Sequence, residues 1–151
     1  MTFLGTNFGG QWYIFADTRV QGYVIEFEAS DFDTETFANS LSGGLGADDL
    51  YGSTGLDTFI FEADSAFTDI DTIHSFDSAE DIVYISDILD GLTVNATNID
   101  DYVSIDASTG VRVDVTGSGT FGADTQIASF QASVGGLDDA LTMFNEGELL
   151  V

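Results

Sequence analysis

The stretch GGLGADDLYGSTGLDTFIF, residues 43–61, repeats glycine and aspartate on a nine-residue rhythm and then runs straight into an apolar strand. A flexible linker needs no such rhythm, and the glycines oppose a helix. Read in nines, residues 43–51 are G-G-L-G-A-D-D-L-Y and residues 52–60 are G-S-T-G-L-D-T-F-I. Both fit G-G-x-G-x-D-x-U-x, with U a large apolar residue and one Ser in place of Gly. The apolar slot extends backward, because Phe32, Leu41, Leu50 and Phe59 succeed one another at intervals of nine. The block before, residues 34–42, keeps Asn39 at the aspartate position but has lost its glycines.

Each slot has a physical reason. Glycines let the first six residues curl with positive φ and carbonyls turned inward. Aspartate closes the turn with a charged oxygen. The last three residues form a short strand whose middle side chain faces a core. Two such units make one coil of a flattened spiral, and successive coils stack at the ~4.8 Å spacing of parallel strands. Turns nine residues apart then lie on opposite edges, and turns eighteen apart lie above one another. A cation between stacked turns takes carbonyls and a carboxylate from each, giving about six to eight oxygens, the coordination Ca²⁺ accepts.

The composition points the same way. The 151 residues suffice for one domain with a genuine core. Apolar residues make up 44% of the chain, too many for a disordered polymer, yet the net charge is −25. With Arg19 and Arg112 as its only Lys or Arg residues, a compact body repels itself unless cations from outside neutralise it. Aspartate outnumbers glutamate, and short carboxylates suit tight turns. There is no Cys, so neither disulfides nor thiolate metal sites arise, and the single His74 supplies a zinc site or a catalytic triad poorly. The acidity argues against nucleic acid and anionic membrane as partners. No apolar run approaches ~20 residues, so no membrane span is expected, and no secretory signal peptide is apparent at the N-terminus.

Along the chain, QWYIFADT and GYVIEFEAS in residues 1–33 read as strands, with Trp12, Tyr13 and Phe15 in a strand core or an aromatic sugar-binding patch. DTIHSFDSAEDIVYI, residues 71–85, reads as two short strands around an acidic turn, and SDILDGL as one helical turn. Val103, Ile105, Val111, Val113 and Val115 alternate around Thr109 and Gly110, predicting a hairpin. TQIASFQASV is a further strand. Leu137, Ala140, Leu141 and Phe144 predict an amphipathic helix over 137–145, with Asp138 and Asp139 placed favourably at its start. His74 is expected to point outward or to pair with a carboxylate. Adjacent acids such as Asp48/Asp49 and Asp100/Asp101 raise the thought of glycosidase carboxylates, but in so acidic a chain such pairs carry almost no information.

The tandem nonapeptides resemble those of the repeats-in-toxin (RTX) family. The stretch LDTFIFEADSAFTDIDTIHSFDSAEDIVYISDIL, residues 56–89, is similar to the segment after the repeats in type I secreted RTX proteins. The tail FNEGELLV resembles the family's extreme C-terminus. The resemblance covers about residues 34–151; residues 1–33 resemble nothing identified. It implies a mainly β fold: a short parallel β-roll over 34–85, continued by a strand-rich cap with one or two short helices over 86–151, with 1–33 a β segment packed on the roll.

In the family, the turn aspartate and turn carbonyls ligate calcium. Carried over, the ligands are Asp48 with the carbonyls of Gly43 and Leu45, and Asp57 with those of Gly52 and Thr54. Turn 52–57 is expected to lie between the Asn39 turn and the Asp77–Asp81 turn, and turn 43–48 beside the turn from Glu62 to Asp71. Asp71 takes the role of capping ligand, with Asp64 and Asp69 as rivals. Asn39, neutral, makes a weaker or empty site. About two to four calcium ions are expected.

The implied function is a non-enzymatic calcium-binding module, extracellular or cell-surface, exported unfolded by type I secretion machinery through a C-terminal signal and folding when it meets calcium. The alternative is an independent secreted binding or assembly protein on the same coil, with a glycan, a protein or its own copies as partner. A serralysin-like protease needs an HExxH helix, which is absent.

Overall fold

The structure, a computed structural model, describes residues 38–131 and 137–151, all within the compact unit Glu35–Val151. The expectations for residues 1–33, including Trp12 and Phe32, lie outside the described residues. The fold is mainly β. Among the described residues nine strands form two sheets: β1 (Ser40–Leu41), β2 (Asp49–Tyr51), β3 (Thr58–Ile60), β4 (Asp71–His74), β5 (Ile82–Tyr84), β6 (Val103–Asp106), β7 (Gly110–Val113), β8 (Gln126–Phe130) and β9 (Leu149–Leu150). The same residues include two α-helices, α1 (Ile99–Tyr102) and α2 (Ala140–Glu146).

One sheet has the order β1-β3-β5-β9 and is parallel throughout. The other has the order β2-β4-β8-β7-β6. There β2, β4 and β8 run parallel, while β8, β7 and β6 form an antiparallel meander. Consecutive strands β1 to β5 alternate between the sheets, so the chain coils. Leu41 pairs with Phe59, eighteen residues on, as the nine-residue rhythm requires. The later coils are longer: Thr58 pairs with Ile82 and Leu50 with Ile73. The extra residues sit in the loops at 62–70 and 75–81.

The middle residue of each short strand points inward, as period-2 geometry demands. Leu50, Phe59, Ile73, Val83, Ile127 and Leu149 are all buried and belong to one apolar cluster fed by both sheets. Fully burying a side chain such as Phe59 contributes about 1.5–3 kcal/mol. Phe76 ties the sheets together, with ring centroids 5.7 Å from Phe59 and 5.3 Å from Phe130.

The hairpin forms as expected from Val103 to Val113, with Val103, Ile105, Val111 and Val113 buried. Val115 lies past its end and is exposed. Gly110 closes the turn at φ 76°, where a Cβ would fall 2.0 Å from the Ala128 carbonyl oxygen. Helix α2 begins later than its periodicity suggests. Asp139 is its N-cap, accepting from the Thr142 amide at 2.8 Å, which leaves Leu137 outside the helix. Gly147, at φ 89°, ends it in a left-handed cap. SDILDGL forms successive i→i+3 turns rather than a helix, with Ile88 N–H donating to Ile85 O and Leu92 N–H to Leu89 O.

Candidate metal centre

The coil carries its turns on two edges, and each edge stacks carboxylates. On the first, the Asn39 amide N–H donates to Asp57 Oδ1 at 3.0 Å, and the Asn39 side-chain amide donates to the same oxygen at 2.7 Å. Asp57 Oδ2 accepts from Ser53 N–H within its own turn. One rung further, Asp57 N–H donates to Asp81 Oδ1 at 2.8 Å, and Asp77 N–H donates to Asp81 Oδ2 at 2.8 Å. The expected stacking of Asn39, turn 52–57 and turn 77–81 is therefore present. Asp57 and Asp81 are fully buried. Burial pushes the Asp81 carboxyl above its ordinary range; N–H groups of Asp77 and Asp57 oppose this, while the carboxylates of Asp57 and Asp77 add to it.

On the second edge, Asp48 N–H donates to Asp71 Oδ1 at 2.9 Å, and Thr72 N–H donates to the Asp48 carbonyl at 2.7 Å. Asp71 is buried, and that burial raises its carboxyl, helped by the Asp48 and Asp69 carboxylates and opposed by the Asp48 N–H. Of the three acids weighed for this position, Asp71 makes the contact, Asp69 lies near enough to act on it, and Asp64 is exposed on the loop. Asp48 Oδ2 is buried without a hydrogen-bond partner. It lies over Gly43, where a Cβ would come within 2.7 Å of it, so only glycine fits.

The other expected ligands offer backbone. Gly52 packs tightly, since a Cβ there would meet Asp57 Oδ2 and the Ser75 carbonyl, both at 3.1 Å. Leu45 and Thr54 are exposed at their turn apices, and Gly44, Gly46 and Gly55 beside them adopt positive φ. His74 pairs with a carboxylate as expected, Nε2 to Asp49 Oδ1 at 2.6 Å, but it is buried rather than outward. Its ring stacks on Tyr51 at 4.0 Å.

The two edges differ in what they leave unmet. Asp57 Oδ1 already accepts two donors from Asn39, so a neutral amide fills that rung. The Asp48/Asp71 edge holds a buried oxygen with no donor at all, and buried polar atoms without partners cost free energy. Stacked carboxylates in low dielectric favour whatever adds positive charge, either a proton or a cation. The donors are hard oxygens, the set that suits Ca²⁺.

A further acidic cluster was not singled out by sequence reasoning. Asp138, Glu146 and Glu148 each bring a carboxylate oxygen within 4.8 Å of the others. Burial raises the Glu148 carboxyl, and the charges of Glu146, Asp138 and Asp77 add to it. Asp138 precedes Glu146 and Glu148 by eight and ten residues, a spacing that carries no periodic signal to join them. Among the described residues no helix is long and apolar enough to cross a membrane. No protein-family model matches the chain, and no curated protein matches it.

Proposed function

We propose that this chain is an RTX-type calcium-binding β-roll module of a type I secreted extracellular or cell-surface protein, folding on calcium after export. The observation that carries this reading is Asp48 Oδ2, a buried carboxylate oxygen with no partner, one rung from the buried Asp71. The eighteen-residue pairing of Leu41 with Phe59 and the acid-to-backbone contacts between stacked turns support it.

Asp48 and Asp71 would hold an ion on one edge, and Asp57 and Asp81 on the other, with carbonyls of Gly43, Leu45, Gly52 and Thr54. Among the described residues neither Asp69 nor Asp77 brings a third carboxylate within 4.8 Å of both members of its pair. Bound there, calcium supplies positive charge that the chain lacks. Asn39 caps the first rung through its amide. The short strands bury little apolar surface each, so the repulsion among their turn acids weighs heavily in the balance. In low calcium the chain stays loose; at about 10⁻⁴–10⁻³ M, the range of extracellular calcium modules, ion binding becomes folding free energy.

The test is a far-ultraviolet circular dichroism titration of the metal-stripped chain with CaCl₂ and, separately, MgCl₂. The reading expects a cooperative gain of β signal with calcium in the millimolar range or below, and a much weaker response to magnesium. No change up to tens of millimolar calcium overturns it.

A further inference from the structure

We propose that the groove between the coil edge and the C-terminal turn is a docking site for a basic peptide segment of a partner protein, one bearing an Arg or Lys side chain next to an apolar residue. The groove has a volume of about 330 Å³. It is lined by the apolar side chains of Leu56, Ala79 and Ile82 and by the carboxylates of Glu80, Glu146 and Glu148. Leu56 is 44% exposed, so its side chain is open to a ligand in the groove. Glu148 Oε2 is buried and has no hydrogen-bond partner, and a carboxylate oxygen of Glu148 lies within 4.8 Å of carboxylate oxygens of Asp138 and Glu146.

Charge and shape complementarity choose the occupant. The lining combines carboxylates, with no Lys, Arg or His among them, and apolar side chains. A metal ion would use the carboxylates and leave the apolar residues bare. A long cationic side chain uses both, laying its methylene stem on Leu56 and Ile82 and its head among the carboxylates. Guanidinium, with its fork of donors, suits adjacent carboxylates best. The charge must come from elsewhere. Among the described residues Arg112 is the only Lys or Arg, and it lies in β7 of the other sheet, with Nη1 on the Phe121 carbonyl. His74 is engaged with Asp49. A second copy is a poor donor, because the whole chain has only two Lys or Arg residues.

The groove adjoins the edge of Asp57 and Asp81, since Leu56, Ala79 and Glu80 belong to its turns. Loss of peptide binding while the calcium-induced circular dichroism change persists counts against the groove alone and leaves the calcium reading intact. The experiment uses the full chain in about 1 mM calcium and about 0.15 M salt. A fluorescein-labelled peptide of sequence Leu-Arg-Leu-Arg-Ala-Gly is titrated by anisotropy, beside the same peptide with citrulline for arginine. Three variants are compared: Glu146→Gln with Glu148→Gln, Leu56→Ser, and Asp90→Asn with Asp100→Asn as a charge-matched control away from the groove. Unchanged circular dichroism verifies that each is folded.

The proposal expects saturable binding, weakened about tenfold or more by either groove variant and by citrulline, and less than about twofold by the control. Equal weakening by the control pair means a diffuse charge effect and overturns it. So does the absence of saturable binding. Displacement of the peptide by added calcium, with no effect of Leu56→Ser, assigns the carboxylates to a metal ion and also overturns it.

Discussion

The Asp57 amide donates to Asp81 Oδ1 at 2.8 Å across 24 positions of chain, just as the Asn39 amide donates to Asp57 Oδ1 across 18. Each carboxylate therefore holds the backbone of the turn one rung earlier, and the fully buried Asp81 holds two amides at once, those of Asp57 and Asp77.

Asp81→Ala strands both of these donors. At about 1–3 kcal/mol for each buried group left unpaired, the loss is about 2–6 kcal/mol. Asp81→Asn keeps one acceptor and loses less. Urea unfolding at saturating calcium measures both. Equal, small losses for the two variants would show that the contacts between rungs carry little stability.

The pH dependence has a definite sign. Burial lifts the folded-state carboxyls of Asp71 and Asp81 above the ordinary 3.8. Without a cation, the stability they contribute is fully present below 3.8 and is lost as pH rises through their raised values. Asp106, Asp114 and Asp139 act oppositely. They are held low by the Ser108 hydroxyl, the Ser118 hydroxyl and the Thr142 amide respectively. Their contribution is present above 3.8 and is lost as pH falls through their lowered values. A difference isolates Asp71. In chelator, Asp71→Asn is expected to keep a larger folded fraction than the parent chain near pH 7, with the gap closing as pH falls through the raised Asp71 value. In calcium the order at neutral pH reverses. A gap independent of pH contradicts the assignment.

Two glycines with positive φ separate backbone strain from steric clash. At Gly110 a Cβ would fall 2.0 Å from the Ala128 carbonyl, while at Gly147 nothing lies within 4 Å. Gly147→Ala costs only the left-handed conformation, about 1 kcal/mol. Gly110→Ala costs that and also forces β7 from β8, so the chain is expected to lose its cooperative thermal transition. Similar melting of the two variants would contradict this.

The coil was legible because its rule is local. Glycine at the turn, aspartate at its close and an apolar residue in mid-strand repeat every nine positions, and Leu41, Leu50 and Phe59 all face inward or pack on the core. The same spacing joins Asp57 to Asn39, 18 residues apart, whereas Asp71 and Asp81, 23 and 24 residues after Asp48 and Asp57, follow only from the stacking that the family resemblance implies. The rest escaped for physical reasons. Strand β9 is two residues long and β8 joins the coil beside β4, and neither short length nor long-range pairing leaves a periodic trace. Helix α1 is a single turn from Ile99, too short to show a 3.6-residue pattern. Asp139 caps α2 where periodicity alone placed its first turn. The grouping of Asp138, Glu146 and Glu148 depends on how the chain after α2 returns as β9 beside β5, which spacing does not encode.

The most direct test of the central claim is anomalous diffraction from crystals of the full chain grown in calcium. A calcium peak is predicted within about 2.3–2.6 Å of carboxylate oxygens of Asp48 and Asp71, and a second on the edge of Asp57, Asp77 and Asp81. Folded chain with no metal peak at either edge contradicts the claim.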